Sequence, residues 1–144
     1  MKMWNFRPLA VFCLMLTVFG WIAGSVAPAE GGKQLAGFGK YRVIRIDPDG
    51  VFPRILRVEA GTTVIWFNAT DRYSSVVFSK GDILKRATRS PTLFFMAPDG
   101  TYVSAAFGSG ATASSAFVKP GTYYYFVTGL PVSDGGAFAQ VVVK

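Results

Sequence analysis

The side chains able to do chemistry in this chain are few, and the first question is whether any of them stand close enough to act together. There is no histidine anywhere in the 144 residues, and the single cysteine is Cys13. The commonest general base and the commonest soft nucleophile are therefore missing from everything beyond the N-terminal segment. Ser74, Ser75, Ser104, Ser109, Ser114 and Ser115 remain, but only Lys80 is placed to activate one of them. Isolated serines in β loops more commonly satisfy backbone groups. Asp71, Asp82 and Asp134 offer a paired-carboxylate hydrolysis, although loop aspartates ordinarily shape turns. The run Tyr123-Tyr124-Tyr125 has the composition of a redox relay. In a strand, however, alternate aromatics fill a core and cover the opposite face.

The elements that would position these groups are short strands. Hydrophobic residues make up 51% of the chain and charged residues only 16%, a balance that favours a packed domain over a disordered chain. Strand-like segments appear at 41–46 ("YRVIRI"), 54–68 ("RILRVEAGTTVIWFN", broken at Ala60-Gly61) and 74–79 ("SSVVFS"). Others follow at 92–107, broken by Pro-Asp-Gly, at 114–127, broken at Pro120-Gly121, and at 137–144. Eight or nine strands with recurrent turn signals predict an all-β, antiparallel-rich sandwich. The stretch 81–88 ("GDILKRAT") is expected to give one helical turn in a loop, and 107–115 ("FGSGATASS") a small-residue loop. The "DPDG" at 47–50 reads as a turn, since the spaced oxygen ligands and downstream Glu of a calcium loop are missing. Asn68-Ala69-Thr70 matches a glycosylation acceptor, here taken as incidental.

The N-terminus has a different character. Lys2 and Arg7 precede an apolar run from Leu9 to Ala27, followed by "APAEGG". This pattern predicts an export segment over residues 1–29, either cleaved after Ala29 or kept as a membrane anchor. Both readings place the rest of the chain in the periplasm or outside the cell. Residues 30–40 are Gly-rich and predict a linker, with the folded domain at 41–144. Without Lys2 and Arg7 the balance is 13 basic against 8 acidic residues, net +5. The densest cationic cluster is Lys80, Lys85, Arg86 and Arg89, a candidate patch for an anionic partner, a membrane surface or an anionic polymer. No nucleic-acid motif is visible, and none is expected in an exported domain.

Two stretches in sequence carry a family resemblance. They are "FPRILRVEAGTTVIWFN", Phe52 to Asn68, and "PGTYYYFV", Pro120 to Val127, followed by a loop and a Val-rich terminal strand. Together they resemble the cupredoxins, the plastocyanin-like blue copper proteins, over about Val51 to Val143. The resemblance implies a Greek-key β-sandwich of about eight strands. It also implies where copper ligands would stand: a histidine at Ser74 (or, one residue on, Ser75), the thiolate at Val127, the second histidine at Leu130, and a methionine near Gly136 or Ala137. Every one of those positions is changed. A blue copper site needs two imidazoles and a thiolate, and these atoms are not in the domain.

The expectation from sequence is therefore a copper-free, cofactor-free, cupredoxin-like exported domain that is not an enzyme. It would work as an accessory or structural subunit, through a protein partner in the cell envelope. The alternative is a binding module for an anionic ligand or glycan. An electron-transfer role follows from the family alone and is opposed by the missing ligands. One consequence is measurable: after exposure to Cu(II) and dialysis, the protein is expected to retain no stoichiometric copper and to show no intense thiolate-to-copper band. Such a band would overturn the ligand assignment.

Overall fold

The structure, a computed structural model, describes residues 39–131 and 137–144. The expected export segment at 1–29 and most of the 30–40 linker lie outside the described residues, as does the 132–136 part of the last loop. The unit that holds the described fold runs from Ala36 to Lys144. Among the described residues no helix is long and apolar enough to cross a membrane.

Eleven strands and one helix follow each other in the order β1 (Tyr41–Asp47), β2 (Gly50–Phe52), β3 (Ile55–Val58), β4 (Thr62–Asn68), β5 (Val76–Phe78), α1 (Gly81–Ala87), β6 (Thr88–Thr92), β7 (Phe94–Met96), β8 (Tyr102–Ser104), β9 (Thr112–Phe117), β10 (Gly121–Val127) and β11 (Phe138–Val143). They form two sheets. The first has the order β2-β1-β4-β9-β6 and the second β3-β11-β10-β5-β8-β7. The pairs β1–β4 and β3–β11 are parallel; the other ladders are antiparallel. The chain crosses repeatedly between sheets, so each layer is built from segments distant in sequence. This is the all-β sandwich expected from the strand pattern.

Alternation decides which side chains enter the core, because successive residues of a strand point to opposite faces. In β4, Thr62, Val64, Trp66 and Asn68 are buried while the residues between them are half-buried. In β10, Tyr123, Tyr125 and Val127 point inward and Tyr124 outward. In β11, Ala139, Val141 and Val143 complete the inner face. Trp66, from the first sheet, lies at the centre of this core. Its ring packs edge-on against Phe78, Phe94 and Tyr125 at centroid distances of 6.0, 5.3 and 5.7 Å, and tilted against Phe117 at 6.4 Å. Edge-to-face pairs at these distances add to the area that each ring removes from water.

Three local features differ from the sequence reading. The 81–88 segment forms a seven-residue helix of about two turns. Leu84 and Ala87 anchor it in the core, and Thr88 Oγ1 donates to the Leu84 carbonyl at 2.7 Å to close its end. Gly81 permits its close approach to the turn at Gly100, whose carbonyl a Cβ would strike. Second, β6 occupies residues that, apart from Thr92, were assigned to no strand from sequence. Its Ser90, and Leu93 just beyond it, take positive φ angles of 47° and 68°, and its register with β9 shifts between Arg89 and Thr92. An irregular edge strand with Pro91 at its middle has no alternation to detect. Third, the small-residue stretch 107–115 is a loop only in its first half. Thr112 to Ser115 belong to β9, whose small side chains let it lie between β4 and β6.

Residues 30–144 hold every described element and are expected to unfold cooperatively in denaturant. Trp66→Ala is expected to lower the unfolding free energy by about 3–5 kcal/mol, the usual cost of truncating a large buried aromatic. An unchanged midpoint would place the core elsewhere.

Candidate functional site

The end of the sandwich where a metal would sit in the family is built from three segments: the exit of β4, the 107–111 loop, and the exit of β10. Asn68 ties the first two together. It is fully buried, and its amide is fully used. Nδ2 donates to the carbonyls of Arg72 at 2.7 Å and Phe107 at 2.8 Å. Oδ1 accepts from the Thr70 backbone N–H at 2.9 Å and the Thr70 hydroxyl at 2.7 Å. Its backbone closes on the same loop, from Asn68 N to the Ala111 carbonyl and from Gly110 N to the Asn68 carbonyl. An amide offers two donors and one two-lone-pair acceptor, so no capacity is left over. The buried, fully bonded side chain is not presented as a glycosylation acceptor.

Ser74 follows as an isolated bridge to Phe107, with both backbone hydrogen bonds formed. Its side chain is buried, and Oγ has no partner among the described residues. Ser75 pairs with Thr128: its N–H donates to the Thr128 hydroxyl at 3.0 Å, and its carbonyl accepts from Thr128 N at 2.9 Å. Val127 lies inside the core, opposite Val76 of β5. Leu130 is partly buried and packs against the core. Between them Gly129 takes a φ of 82° and passes so close to the Tyr73 carbonyl that a Cβ there would collide with it. The structure thus brings Ser74 beside the Val127–Leu130 turn.

The chemistry of this set does not fit copper. It consists of one hydroxyl, one valine and one leucine, in a chain without imidazole. Among the described residues no three His, Cys, Asp or Glu side chains gather anywhere. The hydrolytic alternatives are not assembled either. Asp71 is exposed beside Arg72, Asp82 lies on α1, and Asp134 falls outside the described residues. Ser104 Oγ accepts from Val76 N, and no described hydrogen bond joins Lys80 to a serine. Of the tyrosine run, Tyr123 donates to the Lys119 carbonyl at 2.9 Å and Tyr124 is exposed. Burial pushes the Tyr125 phenol well above its usual range. The nearby Trp66 indole opposes that shift in part, although neither group completes a hydrogen bond of ordinary geometry. A phenol held neutral in this way is a core side chain.

Lys80, Lys85, Arg86 and Arg89 all stand exposed on α1 and its flanks. Lys85 and Arg86 occupy the last helical turn, where cations suit the helix dipole. Arg89 donates to the Thr88 carbonyl at 2.7 Å. The cluster lies on α1 and at the start of β6, between the edges of the two sheets, and takes no part in the loop end just described. Two features escaped the sequence: the role of Asn68, which looked only like the end of a strand, and the outer surface of the second sheet. The signal for the second was present in the large apolar residues at both phases of β10 and β11.

The likeness to solved structures supports the same frame. A methionine-to-alanine variant of amicyanin in the Cu(I) state matches with 24% identity and a TM-score of 0.53, over 71% of this chain and 80% of that one. A reduced tryptophan-to-tyrosine variant matches with 21% identity and a TM-score of 0.53, over 72% and 82%. A reduced Cu(I) proline-to-glycine variant matches with 22% identity and a TM-score of 0.52. No family model and no curated protein sequence matches the chain. By fold, then, this is a cupredoxin-type sandwich. Its particular features at the loop end are the Ser74, Val127 and Leu130 side chains and the fully bonded Asn68.

Val127→Asp is expected to destabilise by at least ~3 kcal/mol, because an unpaired carboxylate would replace a buried methyl pair. Asn68→Ala is expected to cost about 3 kcal/mol, since it leaves the buried Thr70 N–H without its acceptor and takes one hydrogen bond from each of the Arg72 and Phe107 carbonyls. Val127→Cys is expected to unfold near the parent, as cysteine packs like a small hydrophobe. Parent-like stability of Val127→Asp would mean the β10 register is wrong.

Proposed function

We propose that the chain is a non-enzymatic domain of the cell envelope, acting as an accessory or structural subunit through contact with a protein partner. The observation that carries this reading is the loop end. It keeps the backbone construction of the fold, with Asn68, the Ser74–Phe107 bridge and the Gly129 approach, while the side chains there are packing residues. A frame retained without reactive groups offers a shaped, rigid surface. Around it, Tyr73 is largely exposed, an aromatic of the kind that anchors protein interfaces. The predicted export segment supports location outside the cytoplasm.

The exposed cations on and beside α1 favour a second reading, a module for an anionic ligand or glycan. The two readings separate in one experiment. Tagged protein, expressed at its native level and extracted with mild detergent, is expected to migrate in a complex of fixed stoichiometry. Tyr73→Ala is expected to weaken that complex without altering the unfolding midpoint. Recovery as a free monomer, or only with polysaccharide released by glycosidase treatment, would overturn the subunit reading.

A further inference from the structure

The outer face of a solvated sheet ordinarily alternates to polar side chains. The second sheet does not. Its outward positions align through the strand registers into one unbroken apolar row: Phe138 beside Phe126, Phe126 beside Val77, Val77 beside Val103, and Val103 beside Phe95. Five strands at about 4.8 Å spacing make this row roughly 19 Å long. The Phe126 and Phe138 rings sit 5.8 Å apart. A second row runs Ile55, Gln140, Tyr124, again adjacent by register. Phe138, Tyr124 and Phe95 are 61%, 72% and 50% exposed. The first sheet has no such surface: its outer rows are interrupted by Arg45 between Phe52 and Phe67, and by Ser114 beyond Val43 and Ile65.

Charge says what this face meets. No outward strand position of the second sheet carries a carboxylate, and Arg57 carries a cation. At the flank, Lys80 and Ile83 of the α1 region line a groove with Thr122 and Tyr124. Lys85 and Arg86 add two exposed cations on the same helix, against its single carboxylate Asp82. An aromatic row edged by Lys and Arg matches an interface whose middle is apolar and whose surface is anionic. A second copy would meet the same cations without carboxylates to neutralise them.

We infer that the outer face of the second sheet is a docking surface for an anionic lipid bilayer. Phe138, Phe126, Phe95 and Tyr124 lie at the boundary of acyl chains and headgroups, where aromatic rings are favoured. Arg57 and Lys80 face the lipid phosphates, and the charges of Lys85 and Arg86 on α1 add to the attraction at longer range. The inference does not depend on the proposed protein partner, and vesicles test it separately.

The experiment is hydroxyl-radical footprinting of the full chain with vesicles of phosphatidylcholine, alone or mixed equally with phosphatidylglycerol. Modification of Tyr124, Phe138 and Phe95 is expected to slow severalfold in the mixed vesicles only, and to recover in high salt. Tyr41 and Tyr73, on other faces, are expected to react at unchanged rates. The variant Phe95→Ser with Phe138→Ser is expected to lose the protection at Tyr124 while keeping the parent's near-UV spectrum. Equal rates everywhere would overturn the inference. So would protection of Tyr41 and Tyr73 alongside Tyr124, which marks adhesion through the N-terminal segment. Protection that needs no lipid and rises with protein concentration would assign the face to a second copy. Protection confined to residues 80–89 would reduce it to simple charge attraction.

Discussion

Trp66 sets the separation of the two sheets. Its indole is the largest fully buried side chain in the first sheet, and it inserts among rings supplied mainly by the second. Interiors packed at crystal-like density do not close around such a group in more than one way. With Trp66 inward, the alternation of β4 then requires Val64 and Thr62 inward on one side and Asn68 inward on the other. The last of these is costly by itself, because an amide placed in the interior must find four partners. The chain supplies them from the 70–72 turn and the 107 loop. Thus the register imposed by one aromatic ring determines which polar residue ends the strand and which loops must converge on it.

The same logic explains how the loop end holds its shape without reactive side chains. Asn68, the Ser74–Phe107 bridge and the Ser75–Thr128 pairing are mostly backbone constructions. They do not depend on what Val127 or Leu130 carries. Valine at a buried inward position adds packing where a polar group would need a partner. The unsatisfied Ser74 hydroxyl is the one polar side chain left at these positions. Rigid scaffold and reactive side chains are separable, which is why a likeness of fold says little about activity.

Much of the architecture was legible because period-2 patterns are strong in β4, β10 and β11, and because Gly61, Gly100 and Gly121 fall at real turns with positive φ. Two of the segments that meet at the loop end, the exits of β4 and β10, were legible from two motifs. What stayed hidden was cooperative. No property of Asn68 in the sequence tells that its partners come from residues 39 positions away. The β6 edge, with Pro91 and two residues of left-handed backbone around it, lacks alternation altogether. The apolar row on the second sheet was hidden for another reason. Large apolar residues at both phases of β10 and β11 point to an apolar outer face, but only the registers of four ladders place Phe138, Phe126, Val77, Val103 and Phe95 side by side.

The pairing of Phe126 with Phe138 has a consequence for protein engineering. It pins both ends of the β10–β11 connection at a fixed separation, and Val127 N to the Ala137 carbonyl at 2.9 Å draws the ends one step tighter. A foreign peptide spliced between Thr128 and Ala137 would thus begin and finish at anchored points, with little closure entropy left to lose. Gly129 sets one restriction at the entrance, since the Tyr73 carbonyl leaves no room there for a Cβ. A graft that keeps Gly129 and Leu130, which packs against the core, and varies the residues after them turns this sandwich into a display scaffold, and its host contains no histidine to compete for whatever metal the new loop is designed to hold.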